Sequence, residues 1–364
     1  MQHADDIYEK KAANAIEKNL QIAANVSAVV IGLFACLVAL HLGKTIIAPI
    51  ALAIVIGIMF GPIADRIEKS KIRPSISAML VVALFAGLIL ASFAAFAVPM
   101  SSWMDRVPRI WNQFQISLAD WKGMFETVGS FQQELQKMAG GEATAMKVEV
   151  DESGPFEEAA FLAPVILGQI AIFLASFYFF VATRHDLRLL ILKLCVRRKT
   201  RWHVARIFKD VEDSVSGYLI SITYINLGMG ITVSLLFWLI GVPSPFLWGM
   251  LAGVLNYVVY IGPAVMSVIL IGVGLATHTE TLAILTPAAV FLGVNFLEAQ
   301  FITPTIIGRR TTMNPFFVFL SLVFWIWLWG PAGGFIAIPS LLITNVIYLH
   351  MFVAPQQRRQ RARF

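Results

Sequence analysis

The amino-acid sequence predicts an all-α polytopic membrane protein with about 6–8 transmembrane helices. Of its 364 residues, 58% are hydrophobic and only 14% are charged, whereas roughly 25% are charged in an average soluble domain. Residues 214–357, a stretch of 144, contain only four charged side chains: Glu280, Glu298, Arg309 and Arg310. A soluble protein could not cover its surface with so few polar groups. The long apolar segments also exclude an outer-membrane barrel, whose signature is short segments of alternating hydrophobicity.

Four apolar segments in the first half are each long enough to cross a bilayer as a helix: 26–42, 46–63, 75–98 and 161–182. The polar stretch 99–158 between the last two contains ten acidic and five basic residues, and its first part has the apolar spacing of amphipathic helices. Residues 183–213 contain nine basic and four acidic residues. Because cytoplasmic loops carry an excess of Lys and Arg, we expect 183–213 and both termini to be cytoplasmic, and 99–158 extracytoplasmic.

Two later apolar segments are interrupted in the middle by Gly and Pro. Residues 244–276 are interrupted at Gly262 and Pro263, and residues 314–349 at Gly330 and Pro331, followed by Gly333 and Gly334. Pro lacks an N–H and Gly is conformationally permissive, so each interruption predicts the tip of a helical hairpin. The alternative is that each segment crosses the membrane once as a long kinked helix, which gives eight spans and places Arg309 and Arg310 outside.

The two halves of the charge-poor region resemble each other. Three pairs of residues recur at nearly the same spacing: Asn226 and Asn295 (69 apart), Pro245 and Pro315 (70 apart), and Gly262 and Gly330 (68 apart). Chance is the alternative, because these residue types are common in membrane helices. If Arg309 and Arg310 lie inside, the second unit is inverted relative to the first. Inverted repeats with interrupted helices are typical of secondary transporters, which bind their solute near the midplane between the hairpins.

These patterns predict five parts of the chain. They are an N-terminal cytoplasmic helix with spans 1–3 (1–98), an extracytoplasmic amphipathic helical segment (99–158), span 4 with a basic cytoplasmic helix (159–213), a transport core with two hairpins (214–357) and a basic cytoplasmic tail (358–364).

Glu298 is the sharpest candidate for a transport residue. It is the one carboxylate well inside an apolar span of the second half, and an ionisable group at membrane depth indicates function. The alternative is a structural ion pair with Arg309 or Arg310. Asn295 lies one turn earlier on the same helix face, and Gln300 and Thr303 extend this polar surface.

Asn256, Tyr257 and Tyr260 come just before the first predicted tip. Their amide and hydroxyl groups could bind a small hydroxylated solute without a fixed charge. The alternative is that they hydrogen-bond neighbouring helices, as polar residues in membrane bundles commonly do. Asn314, just before the second hairpin, is predicted to cap its first helix.

Several classes of chemistry are not expected. The sequence contains no HExxH, GxSxG or Walker A motif, and its six histidines are scattered. We therefore expect no enzyme activity, metal or cofactor. The net charge of +6 is typical of the flanks of membrane spans, so no nucleic-acid partner is expected.

The run from Gly241 to Pro263, GVPSPFLWGMLAGVLNYVVYIGP, resembles the signature of the autoinducer-2 exporter (AI-2E) family. Similar motifs are NFLEA from Asn295, MNP ending at Pro315, and LWG ending at Gly330. The resemblance covers most of the chain. It implies a secondary transporter with two helical hairpins, an elevator-like motion and a homo-oligomeric, pentameric assembly. Some members of the family resemble sodium/proton antiporters.

The expected function is export of a small polar signal such as autoinducer-2 across the bacterial inner (plasma) membrane. The expected partners are the lipid bilayer, the solute, protons or sodium ions, and further copies of the chain. A sodium (cation)/proton antiporter built around Glu298 is the alternative within transport. A non-transporting membrane scaffold is the alternative of another class, although a scaffold needs neither interrupted midplane segments nor Glu298.

Overall fold

The computed structural model describes residues 2–104, 155–278, 280–307 and 314–353, and these residues are helical apart from short turns. The helices are α1 (Gln2–Leu42), α2 (Lys44–Glu68), α3 (Pro74–Met104), α4 (Pro155–Leu194), α5 (Arg198–Leu239), α6 (Pro245–Leu255), α7 (Ile261–Thr277), α8 (Thr281–Leu297), α9 (Thr303–Ile307), α10 (Pro315–Trp329) and α11 (Pro331–Tyr348), with π-helical segments at Glu298–Ile302 and Leu349–Val353.

Seven of the described helices are long and apolar enough to cross a membrane, which agrees with the predicted 6–8 spans. The fold class, an all-α polytopic membrane protein, is confirmed. The structure differs from the prediction at one boundary. The sequence predicts that a basic cytoplasmic helix ends at residue 213 and that the transport core begins at residue 214, whereas α5 continues unbroken through both residues. No Pro lies between Arg198 and Leu239 to interrupt it.

The first spans form a packed group. Phe60 of α2, Val81 of α3 and Phe177 of α4 belong to one buried hydrophobic cluster. At one end of this group, Arg184 of α4 donates to Asp65 Oδ1 (2.5 Å) and to Glu68 Oε1 (2.8 Å) of α2. His185 lies beside the same two carboxylates, so that one possible ligand atom from each of the three residues lies within 4.8 Å of the others. Because Arg184 already binds both carboxylates, we interpret the group as an ion-pair network that joins α2 to α4.

The first interrupted segment forms a hairpin whose turn lies slightly earlier than predicted. The chain reverses over residues 256–260, between α6 and α7, while Gly262 and Pro263 lie in the first turn of α7. A Cβ on Gly262 would lie 1.8 Å from the Leu255 carbonyl oxygen, a distance that only a chain folded back on itself gives. Tyr260, with φ of 66° and ψ of −51°, is the centre of a γ-turn closed by Ile261 N–H and Val259 O.

The second interrupted segment also reverses, at a single residue. Gly330 joins α10 to α11 with φ of 63° and ψ of −141°, a conformation essentially restricted to glycine. Pro331 follows as the first residue of α11, where a missing N–H costs nothing. The Ser321 hydroxyl donates to the Ala337 carbonyl across the hairpin at 2.9 Å. Both segments are therefore hairpins rather than kinked spans, and Asn314 caps α10 by accepting from Phe316 N–H at 2.9 Å.

Helix α5 is the element to which the two hairpins attach. Its Gly230 lies so close to α6 that a Cβ would meet the Gly249 carbonyl oxygen at 3.0 Å, and small residues allow such backbone approach between membrane helices. Its Val215 and Leu219 share a buried cluster with Leu328 of α10 and Ile336 of α11. The helix thus holds the first hairpin along one part of its length and the second along another.

Three predictions fall outside the described residues. They concern most of the segment 99–158, the pair Arg309 and Arg310, and the tail 358–364. Because Arg309 and Arg310 carry the argument for inversion, the inverted orientation of the repeat stays a prediction.

Candidate functional site

The two hairpin tips contact each other. The ring of Tyr257, in the first tip, packs against Phe335, the fifth residue of α11, with ring centroids 5.4 Å apart. A Cβ on Gly334 would lie 2.9 Å from Val258 Cγ1. Residues of the two predicted hairpin tips are therefore neighbours in space, although they lie about 75 positions apart in the chain.

Three asparagine side chains form a hydrogen-bonded chain behind the first tip. Asn256 Nδ2 donates to Asn226 Oδ1 of α5 at 2.9 Å, and Asn295 Nδ2 of α8 donates to Asn256 Oδ1 at 3.4 Å. Asn226 and Asn256 are buried, 2% and 7% exposed. The Asn226 Nδ2 atom is buried without a hydrogen-bond partner among the described residues. A buried donor without a partner costs free energy. The Asn226 amide is therefore available to donate a hydrogen bond to one further acceptor group.

Hydroxyl groups extend this polar cluster along α5. Tyr257 donates to Thr223 Oγ1 at 2.8 Å, and Thr223 in turn donates to the Leu219 carbonyl at 2.7 Å. Tyr218 lies five residues before Thr223 on α5. Its hydroxyl is close enough to the Tyr257 hydroxyl and to the Glu298 carboxylate to be affected by the charge of either group.

Glu298 is buried, with 6% of its surface exposed, and starts a π-helical segment. The hydroxyl of Thr303 donates to its carboxylate, and the Thr303 N–H donates to the Glu298 carbonyl, which closes the wide turn. In an α-helix, residues five apart point about 140° away from each other. The i→i+5 turn brings them to one side, and π-turns occur frequently at functional sites.

Pro304 supplies a local reason for the wide turn. Its ring would clash with the carbonyl of residue 300 in a regular α-helix, and it has no N–H to donate there. The π-helical segment ends directly before Thr303 and Pro304. The sequence thus disfavours a regular helix at the position where the carboxylate is buried.

Other predicted residues do not join the cluster. Tyr260 is exposed, at 53%, because the γ-turn points it away from the packed tip. Gln300 is exposed as well, since it lies on the outer side of the π-helical segment. Asn295 and Glu298, predicted to form a pair on one face, have different partners, Asn256 and Thr303. The roles of all these residues stay predictions.

Sequence reasoning missed Asn226, Thr223 and Phe335 as members of the cluster. Asn226 had a usable signal, because it is the counterpart of Asn295 in the repeat. Thr223 lies one turn before Asn226 on the same helix face. Phe335 gave no signal, since its position depends on how the second hairpin folds.

A groove of about 270 Å³ runs between α5 and α6 and ends at this cluster. Thr223, Asn226 and Tyr257 line it together with apolar side chains such as Ile231 and Met250. No Lys, Arg, Asp or Glu is among the described residues that line it. The groove is therefore mainly apolar, and its polar groups at this end are uncharged amide and hydroxyl groups.

Comparison with known proteins gives a consistent result over most of the chain. A family model described as AI-2E family transporter matches residues 28–352. The AI-2 transport protein TqsA of Escherichia coli (strain K12) is 34% identical over 134 residues, which cover 37% of this chain and 39% of TqsA.

Two proteins of Bacillus subtilis (strain 168) are also similar. YrrI is 27% identical over 164 residues, 42% of this chain and 45% of YrrI. YueF is 23% identical over 331 residues, 88% of each chain. The aligned segments thus span less than half the length of TqsA and YrrI, whereas that of YueF spans most of it.

Proposed function

Because this chain belongs to the AI-2E transporter family, we propose that it is a secondary transporter of the bacterial inner membrane that exports a small polar signal such as autoinducer-2. The name of TqsA supports this substrate. The observation that carries the proposal is the contact between the hairpin tips, beside a buried chain of amide and hydroxyl groups. These groups recognise a neutral polyhydroxylated molecule, whose hydroxyls both donate and accept.

In this proposal the two hairpins close the site from opposite sides of the membrane. Movement of one hairpin away from the other exposes the asparagine chain, and an elevator-like displacement carries the solute across. The first spans form the scaffold and the contacts of a homo-oligomer, which the family resemblance implies. No covalent step is involved, so the protein is not an enzyme.

Cation/proton antiport is the second candidate, and the burial of Glu298 favours it. A buried carboxylate that alternates between a proton and a metal cation exchanges the two without transporting a sugar. The hydroxyl of Thr303 stabilises the charged form by donating to it. In the first candidate function, export of the solute, Glu298 carries the proton that is coupled to that export.

Flux in reconstituted vesicles distinguishes these functions. We expect uptake of labelled autoinducer-2 by vesicles containing the full chain, and its loss in Glu298→Gln. Thr303→Val should reduce the flux about tenfold or more, since hydrogen bonds to charged groups contribute about 1.5–3 kcal/mol, while Thr303→Ser should retain it. Glu280→Gln removes the same charge at an exposed turn and is the matched control.

Each other outcome contradicts part of the proposal. Sodium-dependent proton movement without autoinducer-2 flux would replace the export function by antiport. Absence of any solute or ion flux in correctly folded protein would overturn transport altogether.

A further inference from the structure

The corner between α4 and α5 extends well beyond the membrane span. Residues 161–182 of α4 suffice to cross the hydrocarbon core, yet the helix continues to Leu194, roughly 18 Å further. Three residues separate the end of α4 from the start of α5 at Arg198. A helix that is longer than the hydrocarbon core is accommodated by tilting, which brings its end toward the headgroups, so the corner between α4 and α5 lies at the membrane surface.

Large apolar side chains are exposed along this extension. On the extension, Leu187, Leu190 and Leu194 are 42%, 58% and 75% exposed, and Phe179 in the span is 62% exposed. These four side chains lie within an arc of about 80° around α4, while Leu189 and Ile191 are exposed on its other sides. Phe179 belongs to the predicted span, so the strip continues an exposed apolar surface of that span. An apolar strip of this kind is unfavourable in water.

The turn itself adds exposed apolar and basic groups. Val196 is 95% and Trp202 is 68% exposed. The exposed cations around them are Lys193, Arg197, Arg198, Lys199 and Arg201. Residues 187–209 contain no Asp or Glu, and none of these five cations forms an ion pair with a described residue. By contrast, Arg184 on the same helix binds two carboxylates.

We propose that this corner, residues 187–202, binds the anionic headgroup layer of the bilayer and anchors the α4–α5 unit to it. The five cations contact lipid phosphates, each contributing attraction within the screening length. Leu194, Val196 and Trp202 insert between the headgroups, where tryptophan is favoured. A lipid surface fits better than an acidic protein, because the apolar strip is continuous with exposed apolar surface in the predicted span of α4.

A fluorophore attached at position 196 tests directly, in the whole chain, whether the corner binds the headgroup layer. Val196→Cys, in a Cys36→Ser/Cys195→Ser background, is labelled with an environment-sensitive fluorophore and reconstituted into phosphatidylcholine vesicles with or without phosphatidylglycerol. We expect strong quenching by headgroup spin-labelled lipid only when phosphatidylglycerol is present. Added salt should weaken it, and inorganic phosphate at matched ionic strength should not compete further.

A pair of matched variants separates this corner from the general positive charge of the protein. Arg197→Gln/Arg198→Gln/Lys199→Gln should weaken the dependence on phosphatidylglycerol at least about tenfold. Lys69→Gln/Lys71→Gln/Arg73→Gln removes three exposed cations at the α2–α3 turn and should leave it unchanged. Circular dichroism and gel filtration verify that both variants fold.

Two results would overturn the proposal. One is equal quenching in neutral and anionic vesicles and in both triple variants, which would make charge irrelevant. The other is a label protected from both lipid-borne and aqueous quenchers, which would show that a second copy of the chain covers the corner.

Discussion

The ring of Tyr257 packs against the ring of Phe335 at a centroid distance of 5.4 Å, so the first hairpin tip touches the start of the second hairpin's return helix. In the proposed transport cycle, a solute that passes between the hairpins separates these two rings, because they lie beside the amide groups proposed to bind it.

Cross-linking this contact should stop transport. In a Cys36→Ser/Cys195→Ser background, Tyr257→Cys/Phe335→Cys is expected to form a disulfide or to react with a short bifunctional reagent. Vesicle flux should then be lost and should return after reduction. The single variants, Tyr257→Cys and Phe335→Cys, control for loss of the aromatic rings. Full flux in a cross-linked sample would mean that the tips need not separate.

The asparagine chain should stabilise the fold as a unit. Asn226→Leu and Asn256→Leu are each expected to lower stability by about 0.5–2 kcal/mol, because each leaves a buried amide without its partner. The double variant should lose less than the sum of the two, since neither partner of the Asn226–Asn256 bond then remains unpaired and the Asn295 amide loses its acceptor only once. Thermal unfolding in detergent measures this. Gln300→Leu, at an exposed position, should have little effect; strictly additive losses would indicate that the two amides do not interact.

Close backbone packing at the hairpin bends should make two glycines irreplaceable. A Cβ at Gly262 or Gly333 would lie 1.8 Å from the carbonyl oxygen of Leu255 or Trp325, respectively. We expect Gly262→Ala and Gly333→Ala to lower stability by about 1–3 kcal/mol.

Two other helical glycines provide matched controls. A Cβ at Gly228 or Gly293 would meet no atom within 4 Å. Alanine there should be neutral or stabilise by up to about 1 kcal/mol, because it has the higher helix propensity. Equal melting temperatures for all four variants would contradict the packing at the bends.

Much of the fold could be predicted from local sequence features. Hydropathy alone located the apolar segments, because a bilayer requires helices of a minimum length. Gly and Pro marked both hairpins. The turn of the first hairpin was misplaced by a few residues, since Gly262 is required there for close packing after the turn rather than for the turn itself.

The candidate site was only partly predictable. Glu298 was evident from the sequence as a carboxylate inside an apolar span. Its partner Thr303 was predicted only as a neighbour on a polar surface, because helical geometry places residues five apart on different sides. The π-turn that unites them is one of several ways in which a helix accommodates a proline such as Pro304, and only the structure shows which way is used.

By itself, the sequence determined that the chain is a helical membrane protein with two interrupted segments and a buried carboxylate, because these properties depend on composition and on the chemistry of single residues. Only the tertiary structure decided that both interruptions are reversals, that the two tips meet at Tyr257 and Phe335, and that Asn226, Asn256 and Asn295 form one chain. Such contacts join helices distant in sequence, and their geometry follows from packing rather than from local preference.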